Sequence, residues 1–407
     1  MKEELELYLH IPFCVKKCAY CDFLSAPSDE KTRQEYVHTL IQEIEGYGAD
    51  FYDRYRVSAI FVGGGTPSIL EAGQIEKIFD ALRRNFQIAE HAEITIEVNP
   101  GTVTQDKLSA WKRAGINRLS IGLQSTDDRE LKMLGRIHTW EQFRETYHMA
   151  REHGFDNINI DLISAIPGQT VESWTKTLRQ VAGLDPEHIS AYSLIIEEGT
   201  PFYERYGKEE PAQRNSFEKQ AKDLLLPPLP DEDTEREIYE LTVDLLSGYG
   251  YNRYEISNYA KEGFACRHNL GYWERTEYLG IGLGASSLLS SKRFHNTADY
   301  RTYIEKVKKK EDIREDIESL SKSEEAEEFM FLGLRKTRGI SAKRFCDIFG
   351  KPVLEVYGAQ IEKLCKEGLL EISGDDIRLT EHGIDVSNTV FVEFLDPDFF
   401  HGHPIEL

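Results

Sequence analysis

The chain has 407 residues, of which 49 are lysine or arginine and 71 are aspartate or glutamate, so its formal net charge is −22. A strongly acidic surface repels phosphate backbones and anionic lipid headgroups, so we expect no nucleic-acid partner and at most transient membrane contact. With 40% hydrophobic and 29% charged residues, the composition is that of a globular protein large enough for one large domain and a smaller one. There is no signal-peptide pattern and no long apolar run, so we expect a cytoplasmic location.

Strand-like runs alternate with helical segments from the N-terminus to about residue 247. The predicted strands are short, rich in β-branched residues and bounded by Gly, Pro, Asn or Ser: Leu5–Ile11, Val57–Val62, Glu93–Val98, Arg118–Leu123, Asn157–Ile163 and His188–Ile196. The predicted helices are Lys31–Tyr47, Ala72–Asn85, Gln105–Ala114, Thr139–His153, Val171–Ala182 and Glu235–Ser247. Six successive βα units imply a parallel sheet with right-handed crossovers.

A doubly wound open sheet and a barrel both fit this alternation. In a barrel the functional residues gather where every strand ends, whereas an open sheet binds ligands at one switch point. Polar or glycine-rich residues follow nearly every predicted strand, for example Gly63–Thr66 after the second and Gln124 after the fourth. We therefore predict an α/β fold with an incomplete (β/α)6 TIM-like barrel.

The pattern changes beyond the sixth strand. Residues 203–230 contain a charged segment and a Pro-rich run, and are predicted to be an exposed excursion from a barrel domain of residues 1–230. Residues 231–320 are expected to pack on the barrel. Residues 321–407 are mainly helical, with two short strands about a Ser-Gly-Asp-Asp turn, which is the outline of a winged helix. Such modules often bind DNA, but the acidity favours a packing or lid role.

Three of the six cysteines, Cys14, Cys18 and Cys21, form a C-x3-C-x2-C arrangement directly after the first predicted strand. Three thiolates from one short loop can ligate three irons of a [4Fe-4S] cluster, which leaves the fourth iron free to bind a small molecule. A structural zinc site would need a fourth ligand, for which His10 is the nearest candidate. Cysteines without a metal are the remaining alternative.

This spacing, with the lead-in Leu7-Tyr-Leu-His-Ile-Pro-Phe-Cys14, resembles the radical S-adenosylmethionine (SAM) superfamily. Within it, the subgroup of oxygen-independent coproporphyrinogen III oxidases and HemW-type heme chaperones is the most similar. Further matching segments follow successive strands: Phe61-Val-Gly-Gly-Gly-Thr-Pro-Ser68, Glu97-Val-Asn-Pro100, Ser120-Ile-Gly-Leu-Gln124 and Asn159-Ile-Asp-Leu162. The resemblance implies a [4Fe-4S] cluster, SAM bound to its open iron, and an electron donor such as flavodoxin or ferredoxin.

The resemblance also implies which residues contact SAM: Tyr8, Tyr20, Gly64, Gly65, Thr66, Glu97, Gln124, Arg136, Asp161 and Ile195. Glycines let the backbone approach a ligand closely, and the Arg136 guanidinium suits the carboxylate of SAM. Asp161 lies in an otherwise apolar strand, where an unpaired charge would be costly, so a binding role is favoured. A simple tight turn at the glycines, a solvated Arg136 and core tyrosines are the structural alternatives.

Two features distinguish the subgroups. Position 23 is Phe, whereas the oxidases resemble C-x3-C-x2-C-x-C, and only 13 residues precede Cys14, fewer than in the N-terminal extension of the oxidases. The segment Arg267-His-Asn-Leu-Gly-Tyr-Trp273 matches the H-N-x-x-Y-W signature of HemW-type proteins. This match implies heme contacts by His268, Asn269, Tyr272 and Trp273, with His268 as an iron ligand. The structural alternative for His268 is a hydrogen-bonded core or surface histidine.

The sequence therefore predicts a heme chaperone that carries a [4Fe-4S] cluster and SAM, binds heme and passes it to acceptor hemoproteins. One alternative is an enzyme, an oxygen-independent coproporphyrinogen III oxidase that abstracts hydrogen from propionate side chains. A more remote alternative is a cluster-bearing regulator that binds DNA through the winged-helix-like region.

Overall fold

The computed structural model describes residues 2–207 and 226–395. Within these residues, the largest element is a twelve-stranded sheet in which six successive parallel strands lie side by side in chain order. These strands are β1 (Glu3–Ile11), β2 (Tyr55–Gly64), β3 (Ile88–Val98), β4 (Arg118–Gln124), β5 (Ile158–Ser164) and β6 (His188–Ser193). They confirm the predicted α/β fold with a partial parallel barrel.

Helices connect these strands. They are α1 (Glu30–Arg54), α2 (Ala72–Asn85), α3 (Gln105–Arg113), α4 (Asp128–Met133), α5 (Trp140–Glu152), α6 (Val171–Ala182), α7 (Pro201–Tyr206) and α8 (Glu232–Gly248), with a short 3-10 turn at Pro67–Ile69. Helix α1 continues past its predicted end at Tyr47, because Phe51 packs one turn further along the same face, with ring centroids 5.3 Å apart.

The side chains of β1 alternate between two environments. Leu5, Leu7 and Leu9 are fully buried in the main hydrophobic core, whereas Glu6 and Tyr8 point into the barrel, where Tyr8 stacks on Phe61. This period-two pattern is that of a strand covered on both faces. The carboxyl ends of the six strands therefore meet at one mouth of the barrel, directly above a polar interior.

Six further strands extend the sheet at both edges. Strands β7 (Asn252–Arg253) and β8 (Asn258–Ala260) continue it antiparallel beyond β6, while β9 (Tyr278–Ile281) lies parallel to β1. Strands β10 (Ser286–Leu289), β11 (Lys292–Asn296) and β12 (Arg314–Ser319) follow β9 antiparallel, and the helices of this region are α9 (Arg267–Trp273) and α10 (Tyr300–Lys309). None of these strands is predicted from the sequence, because runs of two to six residues are too short for a period-two signal.

The C-terminal region has its own core, which includes Phe329, Phe345 and Tyr357. Its elements are α11 (Lys322–Gly333), β13 (Ile340–Ser341), α12 (Ala342–Phe349), α13 (Val353–Lys366), β14 (Leu370–Ser373), β15 (Asp376–Leu379), α14 (Glu381–Asp385) and α15 (Ser387–Val392). The three strands form a separate sheet in the order β13-β15-β14. This arrangement has the predicted winged-helix outline.

Most of the predicted excursion, residues 208–225, and the end of the chain, residues 396–407, lie outside the described residues. The described flanks of the excursion contact each other, since the Tyr206 hydroxyl donates to the Pro227 carbonyl at 3.2 Å. The domain limits at residues 230 and 320 stay predictions. No helix among the described residues has the length and apolarity to cross a membrane.

Helix α8 packs against α6 through one buried polar contact. Trp174 of α6 is fully buried, and its Nε1 donates to the Thr242 hydroxyl at 2.8 Å. Thr242 is also buried and donates to the Ile238 carbonyl of its own helix. This hydrogen bond joins α8 to α6 directly, although α7 lies between them in the sequence.

We predict that Thr242→Val lowers the free energy of unfolding by about 1–3 kcal/mol, because the Trp174 N–H is left unpaired in the core while the side-chain shape is kept. Thr175→Val is the matched control. Its hydroxyl donates only within α6, to Val171, so we expect a loss below about 0.5 kcal/mol. Thermal unfolding of both variants checks this, and equal shifts of the midpoint would contradict it.

Candidate functional site

The carboxyl ends of the barrel strands surround a cavity of about 410 Å³. All three cysteines of the loop line it, together with every predicted SAM residue except Tyr8: Tyr20, Gly64, Gly65, Thr66, Glu97, Gln124, Arg136, Asp161 and Ile195. We call this cavity the cysteine pocket. Residues far apart in the sequence thus meet where the barrel topology places them.

The cysteine loop leaves β1 and is closed by a two-residue parallel pairing of Phe13–Cys14 with Ala26–Pro27. All three cysteines are free thiols; Cys14 is buried, and Cys18 and Cys21 are half-buried. Burial raises the pKa of Cys21 to about 11. Because iron binds the thiolate form, filling this loop with metal displaces protons from it.

His10 does not complete a zinc site with the three cysteines. Among the described residues, no group of three or more His, Cys, Asp and Glu side chains is arranged to hold one metal ion. His10, the candidate fourth ligand, has both ring nitrogens engaged, Nδ1 with the Tyr8 hydroxyl at 3.0 Å and Nε2 with the Leu24 carbonyl at 2.8 Å. Thiolates that share one ion lie close together, whereas those on three corners of a cubane are held apart by the cluster.

Packing alone requires glycine at the end of β2, whether or not a ligand binds there. Gly64 has a φ of 111°, and a Cβ there would lie 2.6 Å from the His10 ring. A Cβ on Gly65 would lie 2.7 Å from the Phe13 carbonyl oxygen. Only glycine lets the end of β2 lie this close to the segment that precedes the cysteine loop.

Two carboxyl groups give the cysteine pocket an acidic wall. Burial and the nearby Asp161 raise the pKa of Glu97 to about 8, although the Gly64 N–H donates to Glu97 Oε2 at 3.0 Å. Burial also raises the pKa of Asp161, which accepts hydrogen bonds from Ser120 and Asn159. A cationic ligand between the two groups favours their charged forms, and SAM carries an ammonium and a sulfonium group.

Arg136 brings a positive charge to the cysteine pocket. Its Nη2 donates to Asn99 Oδ1 at 2.7 Å and to the Gly122 carbonyl at 2.6 Å, and its Nη1 lies 3.7 Å from the Cys18 sulfur. Its Nε is buried and has no hydrogen-bond partner. A guanidinium in the pocket wall suits a carboxylate, so the charges of this pocket match the amino and carboxylate ends of SAM.

Three other predicted SAM residues occupy different parts of the same pocket. Gln124 ends β4 with a φ of 74°, a strained backbone that proteins retain mainly at functional positions. Ile195 follows β6 at the rim and is 67% exposed, so its backbone is accessible to a ligand. Tyr20 packs in a small apolar cluster with Leu134 and Phe202, and Arg136 hydrogen-bonds to its side chain.

Tyr8 lies in a neighbouring cavity of about 510 Å³ instead. This second cavity shares Phe23, Gly64 and Glu97 with the cysteine pocket. Its other lining residues are His10, Leu24, Tyr272, Tyr278, Gly284, Ala285 and Ser286. Its wall is therefore largely aromatic and apolar.

The predicted heme residues on α9 point in different directions. Tyr272 lines the second cavity, whereas His268 is only 2% exposed and lies inside the barrel, with its ring stacked on Phe61 at 5.0 Å. The Tyr272 ring meets the His268 ring edge-on at 4.6 Å. Trp273 packs against Arg335 of the C-terminal region, 4.5 Å from its ring centre. Asn269 is half-buried, and its backbone N–H bonds to the Cys266 thiol.

The His268 ring lies beside a buried carboxyl group. Its Nδ1 is 2.8 Å from Glu6 Oε2, yet neither ring nitrogen has a partner with hydrogen-bond geometry. Burial lowers the pKa of His268 to about 3, and burial together with Glu93 raises the pKa of Glu6 to about 9. Both groups are therefore uncharged at neutral pH, and the imidazole is in the form that binds a metal.

Three examples show which lining residues the sequence does not identify as ligands. In the sequence, Phe23 only distinguishes the chaperone subgroup from the oxidase subgroup, whereas in the structure it lines both cavities. Gly122 lies inside β4, and a glycine within a strand signals close approach by another group, here Arg136 and Gln124. Tyr278 belongs to β9, a strand too short to predict, so no sequence signal places it.

Comparisons with known proteins agree with this geometry. The sequence profile of the Radical SAM superfamily matches residues 8–181, and that of the HemN C-terminal domain matches residues 320–386. The chain is 35% identical to the heme chaperone HemW of Lactococcus lactis, over 96% of this chain and 97% of that protein. It is 36% identical to the heme chaperone HemW of Bacillus subtilis, over 95% and 98%.

The structure of coproporphyrinogen III oxidase (HemN) from Escherichia coli, a radical SAM enzyme, is also similar. It matches with a TM-score of 0.81 and 25% identity, covering 97% of this chain and 90% of that one. The profile matches, the full-length relatives and the shared fold lead to one conclusion: this chain belongs to the HemN-like radical SAM proteins, within the HemW family.

Proposed function

We propose that this protein is a heme chaperone, which binds heme and transfers it to acceptor hemoproteins, with a [4Fe-4S] cluster on Cys14, Cys18 and Cys21 and with SAM beside it. The observation that carries the proposal is the second cavity. Its volume of about 510 Å³ and its aromatic lining suit a flat, largely apolar ligand, and it adjoins the cysteine pocket through Phe23 and Glu97. HemW-named relatives along nearly the whole chain support the same function.

The residues of the cysteine pocket have distinct tasks in this proposal. Arg136 holds the carboxylate of SAM through the charge of its guanidinium group, while Glu97 and Asp161 hold its cationic and hydroxyl groups. The Thr66 hydroxyl lies 3.5 Å from the Cys14 sulfur and orients that thiolate. When bound, the cluster supplies a single electron and SAM supplies the bond that this electron can cleave.

In the second cavity, Tyr272 and Tyr278 offer aromatic contacts to a porphyrin; their rings meet edge-on at 4.7 Å. His268 lies directly behind Tyr8 and Tyr272, with ring centroids 6.4 Å and 4.6 Å away. Its neutral ring has unpaired nitrogens, as an iron ligand requires, but it is buried. Ligation of heme iron by His268 therefore requires a movement of Tyr272 or of α9.

Oxygen-independent oxidation of coproporphyrinogen III is the second candidate, favoured by the structural match to HemN. The same cavity could hold that tetrapyrrole. Phe23 argues against it, since the oxidases carry a cysteine at this position and Phe23 is 59% exposed at the rim shared by both cavities. An anaerobic assay with SAM and a reductant separates the two, because robust decarboxylation would favour the oxidase.

The remaining partners follow from the family and are part of the proposal. An electron donor such as flavodoxin or ferredoxin would reduce the cluster. Lys16 and Lys17 are exposed on the rim of the cysteine pocket, a positive spot in an acidic chain that suits an acidic donor. Free cysteines fit the reducing conditions of the cytoplasm.

We predict that Cys21→Ser reduces the bound iron from about four atoms per chain to near zero after anaerobic reconstitution, because a cubane with two protein thiolates is poorly held. Cys346→Ser is the control, since Cys346 is half-buried in the C-terminal region. Iron and sulfide analysis checks both variants. Full iron content in Cys21→Ser, or zinc in place of iron in the unaltered protein, would contradict the cluster.

We further predict that the purified protein binds heme saturably and that His268→Ala weakens this binding about tenfold or more, because the iron loses an imidazole ligand. The change in heme absorbance on titration measures both affinities. His153→Ala is the control, since His153 caps α5 and bonds to Met149 on the outside of the barrel. Negligible binding by both the unaltered protein and His268→Ala would end the proposal.

A further inference from the structure

A line of buried polar side chains runs through the barrel interior from the cysteine pocket to α9. It begins at Asp161, whose Oδ1 accepts from Asn159 Nδ2 at 2.8 Å, and Asn159 Oδ1 lies 2.6 Å from His188 Nδ1. His188 Nε2 lies 2.9 Å from the Tyr254 hydroxyl, and the backbone N–H of Cys266 donates to that hydroxyl at 3.3 Å. We call these five groups the interior relay.

The direction of every hydrogen bond in the interior relay follows from its two ends. Asn159 donates through Nδ2 to Asp161, so its Oδ1 accepts from His188 Nδ1–H. Burial lowers the pKa of His188 well below its usual value, so the ring is neutral and its Nε2 accepts from the Tyr254 hydroxyl, which itself accepts from the backbone N–H of Cys266. All links point toward Asp161, and hydrogen bonds aligned in one direction strengthen one another.

The interior relay has no evident role in barrel packing. His188 is fully buried and Asn159 is 2% exposed, in strands whose outward-facing residues, such as Ile160 and Ile189, are apolar core. Buried polar groups add no stability over well-packed apolar ones, and they cost free energy when a partner is lost. A requirement that the two ends of the interior relay be coupled would explain why these buried polar groups are present.

Both ends lie at candidate binding positions. Asp161 lines the cysteine pocket, and its two carboxylate oxygens already accept from Ser120 and Asn159. Cys266 is the residue directly before α9, which carries His268 and Tyr272. From the other side, Glu93 accepts the backbone N–H of Arg267 at 2.9 Å, so the interior relay and Glu93 together hold the first turn of α9.

We propose that His188 and Tyr254 are positioning residues that couple SAM in the cysteine pocket to the position of α9. A donor group of SAM at Asp161 competes with Asn159 for the carboxylate, because each hydrogen bond added to an acceptor weakens the others. The weakened relay holds Cys266 less firmly, and the first turn of α9 loosens. The link to heme rests on the proposed function, since a loosened α9 is what would release His268 from the barrel interior.

Hydrogen exchange of the α9 amides, measured on the full-length, cluster-reconstituted protein with and without SAM, tests the coupling without heme. We expect SAM to speed exchange in α9 about fivefold or more, while α10, which has no contact with the interior relay, is unchanged. Calorimetry on the same samples confirms that SAM is bound. Unchanged or slower exchange in α9, or no SAM binding, would overturn the proposal even without variants.

Tyr254→Phe removes only the hydroxyl that joins His188 to Cys266, so we expect the SAM effect on α9 to disappear. Tyr251→Phe is the matched control. The Tyr251 hydroxyl is also engaged in a hydrogen bond, which it donates to the Pro186 carbonyl at 2.7 Å, but it lies outside the interior relay. The control should keep the full effect. An undiminished effect in Tyr254→Phe would overturn the proposal.

Heme titration of the same samples separates the two proposals. Heme binding without a change in α9 exchange would support the chaperone function and contradict the coupling. A change in α9 exchange without heme binding would support the coupling and contradict the chaperone function.

Discussion

The cysteine loop has a fixed position because two backbone hydrogen bonds join its approach to the end of β2. Gly65 N–H donates to the Ile11 carbonyl at 2.9 Å, and Thr66 N–H donates to the Phe13 carbonyl at 2.7 Å. These bonds form only if the chain after β2 lacks side chains at Gly64 and Gly65. This contact places the cysteine loop over the cavity that Cys14, Cys18 and Cys21 line together with Glu97, Arg136 and Asp161.

The two halves of the proposed function then lie along one barrel axis. The cysteine loop lies at the carboxyl ends of the strands, and α9 packs against the barrel so that His268 reaches Glu6 of β1 and Phe61 of β2. Between them the interior is polar, in contrast to the apolar outer face of the same strands. The cysteine pocket and the second cavity adjoin at Phe23, Gly64 and Glu97, and the polar side chains of the interior connect the cysteine pocket to α9 by a second route.

The barrel strands and the cysteine pocket could be predicted because their signals are local. Short β-branched runs define the strands, and the residues that follow them must meet at one mouth in a parallel barrel, whereas the roles of individual residues came from the family resemblance. The edge strands β7–β12 could not be predicted, because pairing with the barrel edges, and not their own short sequences, makes them strands. The motif on α9 was only partly interpretable: His268 and Tyr272, four residues apart, share a helix face, whereas Trp273 lies on another. Asn159, His188 and Tyr254 come together only through the fold.

The central claim is that the loop holds a cluster with one open iron beside a heme-sized cavity. Electron paramagnetic resonance of the reduced protein, recorded alone, after SAM and then after heme in the same anaerobic sample, tests it most directly. We expect a cluster signal that shifts when SAM binds the open iron. After heme is added with excess reductant, we expect the absorbance band of ferrous heme to appear in the same sample while the cluster signal persists. A cluster signal insensitive to SAM, or no cluster signal at all, would contradict it.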